Sequence, residues 1–151
     1  MEKLSKHYEL KTRQDTLDLA ASIAPILEPG DVICLWGGLG TGKTFFSGAL
    51  MAELGVVETV DSPSFVLMKE YLGKRFPIFH LDLYRLKGQA EFLDLGITDL
   101  IETGLTLIEW PQIAVEVLPE HVLGLSLRFF FEDGKRGVEL VASGRFLDYL
   151  I

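Results

Sequence analysis

One segment limits the possible folds of this chain more than any other. Residues Gly37 to Thr44 read G-G-L-G-T-G-K-T, a complete phosphate-binding loop of the form G-x-x-x-x-G-K-[ST]. It follows the apolar run Val32-Ile33-Cys34-Leu35-Trp36 and opens into Phe45 to Leu54, a predicted helix closed by Gly55. The motif carries meaning only in that strand–loop–helix setting. Its glycines let the backbone curl so that successive N–H groups point at phosphate oxygens, and the helix N-terminus adds partial positive charge at the same spot. Gly37, Gly38, Leu39, Gly40, Thr41, Gly42, Lys43 and Thr44 are therefore the expected nucleotide contacts. Lys43 would reach the β- and γ-phosphates, and the Thr44 hydroxyl would ligate Mg²⁺. A chance match in a chain of this length is on the order of one per cent. The sequence predicts a nucleoside triphosphate site.

Composition sets the class. A chain of 151 residues is expected to form a single α/β domain over residues 1–151. No apolar stretch approaches the ~20 residues that span a bilayer, and Met1-Glu2-Lys3-Leu4-Ser5-Lys6 lacks a signal-peptide core, so a cytoplasmic protein without a membrane partner is expected. Cys34 is the only cysteine, which excludes an internal disulfide and a cysteine-built metal site, and its place in a strand suggests a small buried hydrophobe. The formal net charge is −8, and the basic residues are scattered. A protein that grips nucleic acid unaided shows a basic face, so any contact with nucleic acid is expected to be indirect.

Apolar periodicity outlines one layered unit. Thr12-Arg13-Gln14-Asp15 resembles a capped helix start, with Leu17, Ala20, Ala21, Ala24 and Leu27 at helical spacing and Pro25 and Pro29-Gly30 closing it. A turn at Asp61-Ser62-Pro63-Ser64 precedes a predicted strand over Phe65 to Tyr71, which a hairpin at Gly73-Lys74 joins to Phe76 through Tyr84. Gln89 to Ile101 reads as short helices with capping glycines at Gly96 and Gly104. Leu105 to Trp110 is a buried strand cut off by Pro111. Val122 to Phe131 and Gly137 to Ala142 form a second hairpin around Glu132 to Arg136. Alternating strands and helices predict a P-loop NTPase-like α/β fold: a mainly parallel central sheet with antiparallel hairpin additions and helices on both faces.

Two acidic residues end apolar strands, where ligands of open α/β sheets bind. Asp82 closes Ile78-Phe79-His80-Leu81, and Glu109 closes Leu105-Thr106-Leu107-Ile108. A carboxylate there holds Mg²⁺ or one of its waters, or orients the attacking water. Lys43, Asp82 and Glu109 are thus the candidate catalytic residues, with the division between the two carboxylates left open. Phe129-Phe130-Phe131 reads as core plus an edge contact, Phe45 and Phe46 as a helix face, and His7 and His121 carry no partner pattern.

Four blocks in this order resemble one family, the bacterial tRNA threonylcarbamoyladenosine biosynthesis ATPases called TsaE or YjeE. They are Gly37 to Thr44, Ser62-Pro63-Ser64-Phe65, His80-Leu81-Asp82-Leu83-Tyr84-Arg85 and Ile108-Glu109-Trp110-Pro111. The first block marks many NTPases; the H-x-D-L-Y-R and I-E-W-P blocks together are far more specific. The resemblance implies an ATP- and Mg²⁺-dependent subunit required for threonylcarbamoyladenosine modification of tRNA, acting with TsaD and TsaB and reaching tRNA only through that complex. It implies a switch at Ser62 to Phe65 with Ser64 near the γ-phosphate, a Walker B-like role for Asp82, Mg²⁺ held by Thr44 and Glu109, and Trp110 near the nucleotide. By the same resemblance Arg136, in Asp133-Gly134-Lys135-Arg136, approaches the nucleotide, and Thr12 lies near a contacting segment.

The chain departs from that pattern at Ser64, where threonine is usual, and at Gly38, where aspartate is typical. A P-loop small-molecule kinase is the alternative. Kinases of this fold generally need an arginine-bearing lid, and the six arginines here are spread along the chain. Guanine readers usually carry an N-K-x-D motif, and this chain contains no asparagine, which disfavours GTP.

Overall fold

The computed structural model describes residues 2–61 and 67–150. The strands are β1 (Lys3–Glu9), β2 (Val32–Trp36), β3 (Met68–Leu72), β4 (Pro77–Asp82), β5 (Leu105–Glu109), β6 (Leu123–Glu132) and β7 (Lys135–Ser143). The helices are α1 (Arg13–Ile23), α2 (Lys43–Glu53), α3 (Gln89–Asp94), α4 (Ile97–Leu100) and α5 (Gln112–Val117), with short 3₁₀ turns between elements. Among the described residues the strands form one sheet in the order β1-β7-β6-β2-β5-β4-β3. The four central strands, β6, β2, β5 and β4, run parallel, and the flanking pairs β6–β7, β1–β7 and β3–β4 are antiparallel. The parallel centre and the hairpin additions that the periodicity predicts are both present, in a mixed sheet with three parallel and three antiparallel pairings rather than a mainly parallel one.

Alternation along the strands divides the core between two faces. Ile33, Leu35, Leu105, Leu107, Leu125 and Leu127 join α1 and α2 on one face. Val32, Cys34, Phe79, Leu81 and Ile108 join α3, α4 and α5 on the other. Each fully buried Leu, Ile or Phe contributes roughly 1.5–3 kcal/mol, and this two-sided burial holds β2 rigidly between β5 and β6. Burial also accounts for Cys34, whose thiol is pushed up to about 12 by loss of solvation.

The helix ends follow from short-range chemistry. Thr12 caps α1: the Asp15 N–H donates to its Oγ1, and the Asp15 carboxylate accepts from the Thr12 N–H, a reciprocal capping box. Of the predicted stripe, Ala20, Ala24 and Leu27 are buried while Leu17 and Ala21 are exposed; within α1 the buried residues are Thr16, Leu19, Ala20 and Ile23. Gly96 sits at φ 72 and starts α4, as a capping glycine should. Gly104 is extended; its requirement is space, because a Cβ there would lie 2.2 Å from the Pro77 carbonyl oxygen.

The last hairpin is tighter than its sequence suggests. Glu132 pairs with Lys135, leaving a two-residue turn at Asp133 (φ 52) and Gly134 (φ 74). Left-handed conformation at both central residues is the type I′ arrangement that matches strand twist. At the opposite end of the sheet, Arg145 donates from Nε to Asp31 Oδ1 at 2.9 Å and from Nη2 to Asp31 Oδ2, fastening the chain after β7 to the start of β2. Among the described residues no helix is long and apolar enough to cross a membrane.

Candidate functional site

At the end of β2 the chain turns sharply at Gly37, where φ is 136 and a Cβ would lie 2.7 Å from both the Phe129 carbonyl oxygen and Thr41 Oγ1. Only glycine meets both demands. Gly40 (φ 76) and Gly42 (φ 111) are also left-handed, whereas Gly38 is not and has open space around its Cα. The loop closes on itself through Thr41 Oγ1, which donates to the Gly38 carbonyl at 2.7 Å. Arg136, on β7, donates from Nη2 to the Gly40 carbonyl at 3.3 Å and so ties the hairpin to the loop. α2 then begins at Lys43, two residues earlier than predicted, with Gly42 as its N-cap. Its first-turn N–H groups form the positive end of an eleven-residue helix.

Lys43 is buried, and its Nζ has no hydrogen-bond partner among the described residues. Its near neighbour is the Trp110 indole, whose ring centroid lies 3.8 Å away. Burial lowers the Lys43 pKa from its ordinary value, while the charges of Glu109 and Asp82 oppose that shift. An ammonium stripped of water and faced by an aromatic ring is suited to an anionic ligand. Trp110 itself holds φ 54, a left-handed conformation uncommon for a bulky residue, and its ring packs against that of Tyr84 in a tilted arrangement, centroids 4.8 Å apart.

Parallel pairing sets the two carboxylates side by side, since Asp82 is the register partner of Glu109. Both are buried. Asp82 Oδ1 accepts from the Tyr84 N–H at 3.0 Å, and Glu109 Oε2 meets His80 Nε2 at 2.6 Å. Lys43, Thr44, Asp82, Glu109 and Trp110 line one cavity of about 380 Å³, with Leu39, Gly40, Gly42, Phe45 and Arg136. A second cavity of about 280 Å³ shares Gly42, Phe45 and Arg136 with it and extends to Thr12, Arg13 and Thr41. A larger cavity of about 440 Å³, between α5 and β6 beside Trp36 and Arg128, is lined by neither the glycine loop nor the two carboxylates.

The donor set fits a phosphate-bound divalent ion. Among the described residues no cluster of three His, Cys, Asp or Glu side chains could hold a metal by protein ligands alone. Mg²⁺ is commonly held by one or two carboxylates plus substrate phosphates, and Thr44, Asp82 and Glu109 on one cavity beside the orphaned Lys43 ammonium match that need. The structure therefore brings together all the expected loop residues from Leu39 to Thr44 except Thr41, which lines the adjoining cavity, and adds Asp82, Glu109, Trp110 and Arg136. Gly37 and Gly38 shape the loop from behind. The switch expected at Ser62 to Phe65, Ser64 included, lies outside the described residues.

The model of the family described as "Threonylcarbamoyl adenosine biosynthesis protein TsaE" matches residues 10–136, most of the chain. The chain belongs to the TsaE family. The tRNA threonylcarbamoyladenosine biosynthesis protein TsaE of Treponema pallidum is 36% identical over 129 residues, covering 85% of this chain and 94% of that protein. Its namesake in Rickettsia bellii is 34% identical over 134 residues, covering 88% and 93%. The one in Bacillus subtilis is 34% identical over 132 residues, covering 87% and 82%. In three dimensions the crystal structure of Bacillus subtilis YdiB superposes with a TM-score of 0.77 at 28% identity, covering 99% of this chain and 93% of that one.

Within this TsaE-family chain, three site features escaped the sequence reading. Phe45 lines both cavities and takes the Arg13 guanidinium at 5.3 Å, so it is more than a helix-face residue. Tyr84 supports Trp110, and its place in H-L-D-L-Y-R was the available signal. His80 contacts Glu109 across 29 positions of sequence, which no local spacing announces. His7, likewise given no partner, pairs with Glu139 at 3.1 Å across β1 and β7.

Proposed function

We propose that this chain is an ATP-binding, slowly hydrolysing subunit with a P-loop NTPase-like fold, formed as one domain over residues 1–151. Its role is in threonylcarbamoyladenosine modification of tRNA in the cytoplasm, together with TsaB and TsaD. The observation that carries the reading is the buried, unpartnered Lys43 ammonium at the mouth of a left-handed glycine loop, opposite two buried strand-end carboxylates. A triphosphate supplies the anionic oxygens that Lys43 lacks. The loop N–H groups and the α2 N-terminus add donors along the same path.

Lys43 leaves the indole face of Trp110 for β- and γ-phosphate oxygens and neutralises charge that grows in the transition state. Thr44 and Glu109 would hold Mg²⁺, and Asp82 would orient the attacking water. When bound, Mg²⁺ would supply neutralisation of phosphate charge. Arg136 stands over the loop through Gly40 and steadies it against the ligand. The adjoining cavity beside Thr12, Arg13 and Phe45 takes the nucleoside. Among the described residues no arginine other than Arg136 lines the cavity, so transition-state donors are expected from partners in trans.

The test is phosphate release and ATP binding by Lys43→Ala. Hydrolysis is lost and binding weakens while the far-UV spectrum is unchanged; retained turnover in a folded variant sinks the assignment. Product analysis separates the kinase alternative, which requires a phosphorylated acceptor in place of free phosphate. TsaB, TsaD and tRNA together should raise the rate on the order of 10³-fold, the scale of a donor supplied in trans.

A further inference from the structure

We propose that His80 is a positioning residue for Glu109: its Nε2–H holds Oε2 of the carboxylate and leaves Oε1 for the cation. The inference rests on the ATP–Mg²⁺ reading of the cavity and assigns a residue to that reading's metal side. His80 lies in the middle of β4, fully buried, paired in register with Leu107 of β5 and Lys69 of β3. Alternation puts Ile78, His80 and Asp82 on the face that carries α2, and Leu105, Leu107 and Glu109 on the same face of the neighbouring strand. The Nε2–Oε2 separation of 2.6 Å is that of a short bond to a charged acceptor.

Packing alone does not call for a histidine here. The position is fully buried, with Leu107 beside it on β5, and leucine would bury there as well. The ring also leaves Nδ1 buried without a hydrogen-bond partner among the described residues. An unsatisfied buried polar atom costs about 1–3 kcal/mol. What the imidazole supplies in return is one donor, aimed at a carboxylate that is 2% exposed. A buried glutamate without a partner would be costly and free to change rotamer. Pinned at Oε2, it presents Oε1, which accepts nothing from the described residues. Hydrogen-bonded supports of ligating carboxylates typically govern metal affinity 10–100-fold.

The experiment measures ADP affinity by calorimetry, in EDTA and in Mg²⁺, for wild type, His80→Leu and His80→Gln. For His80→Leu, affinity in EDTA should stay within about twofold of wild type, while the gain brought by Mg²⁺ falls about 10–100-fold. His80→Gln, whose amide nitrogen reaches a similar position, should keep most of that gain. A folded His80→Leu with the wild-type Mg²⁺ gain overturns the proposal, as does an equal loss in both buffers, which would mark a merely structural role. Should His80→Leu not fold, long-range ¹H–¹⁵N spectra of the nucleotide-free wild type decide. A proton on Nε2 of His80 that moves in Glu109→Gln supports the proposal; a proton on Nδ1 with a bare Nε2 overturns it. Absence of any ADP binding by wild type would instead remove the ATP–Mg²⁺ reading, while the spectra still report on the pair.

Discussion

Replacing Gly37 by alanine should damage this protein far more than the same change one residue later. At Gly37 an alanine inherits φ 136, where L-residues pay roughly 1–3 kcal/mol of backbone strain. Its Cβ also meets the Phe129 carbonyl oxygen and Thr41 Oγ1, each at 2.7 Å. The backbone oxygen belongs to β6 and yields little, and overpacking of this kind costs about 1–3 kcal/mol. Thr41 can rotate away only by giving up its bond to the Gly38 carbonyl, a loss of about 1 kcal/mol. Allowing for relaxation, the total is about 3–5 kcal/mol, or a fall in Tm of roughly 6–20 °C for a chain of this size. Gly38 meets nothing within 4 Å and is not left-handed, so Gly38→Ala should stay within about 0.5 kcal/mol of wild type. Urea denaturation gives both stabilities, and ATP binding on the same samples reports the loop. Equal stability of the two variants would refute the reasoning.

Three further outcomes follow from other parts of the molecule. Thr12→Ala removes a capping box and should cost about 1 kcal/mol in urea denaturation; an unchanged ATP affinity would show that the hydroxyl serves α1 alone. Glu109→Ala should flatten the Mg²⁺ dependence of nucleotide binding, whereas Asp82→Ala should suppress turnover with milder effects on binding, and a magnesium titration of both variants checks the division. Cys34 has its pKa raised to about 12 in the folded chain, so the unfolded thiol ionises first and stability falls as pH rises above about 8.5, by up to about 1.4 kcal/mol per pH unit. Denaturation midpoints between pH 7 and 10 should decline less steeply in Cys34→Ala.

Legibility in the sequence tracked how local each feature's cause was. β2 was readable to the residue because it is buried on both faces and bounded by Asp31 and Gly37. The α1 cap was readable because Thr12 and Asp15 act within one turn. β1 was not, since Lys3-Leu4-Ser5-Lys6-His7-Tyr8-Glu9 is mostly exposed and owes its extended form to backbone pairing with β7. α5 was missed for a related reason: it has six residues, and only Ala114 is buried. Within the site, Asp82 and Glu109 stood out as strand ends, but their adjacency depends on the parallel register of β4 and β5. The left-handed Trp110 and its contact with Lys43 depend on two segments meeting, so I-E-W-P on its own carries no trace of them.

Apart from Thr106, at the far end of β5, the departures from ordinary packing among the described residues gather around the site, and their positions say what they are for. Four buried side-chain atoms among the described residues lack a hydrogen-bond partner: Trp36 Nε1, Lys43 Nζ, His80 Nδ1 and Thr106 Oγ1. Lys43 lines the cavity, His80 touches a residue that does, and Trp36 immediately precedes Gly37. Trp110, one of three non-glycine residues with positive φ among the described residues, lines the cavity as well. Unsatisfied atoms and strained backbone each cost about 1–3 kcal/mol, and such costs persist where the surrounding structure over-determines them. Here the supports are rigid: α2 is anchored through the fully buried Phe46, Leu50 and Met51, and β4 and β5 lie inside the parallel core. The Lys43 cost is of a kind that an anionic ligand removes, because Lys43 lines the cavity and His80 does not. Binding should therefore relieve the lysine, while the histidine penalty remains as the standing cost of an oriented carboxylate.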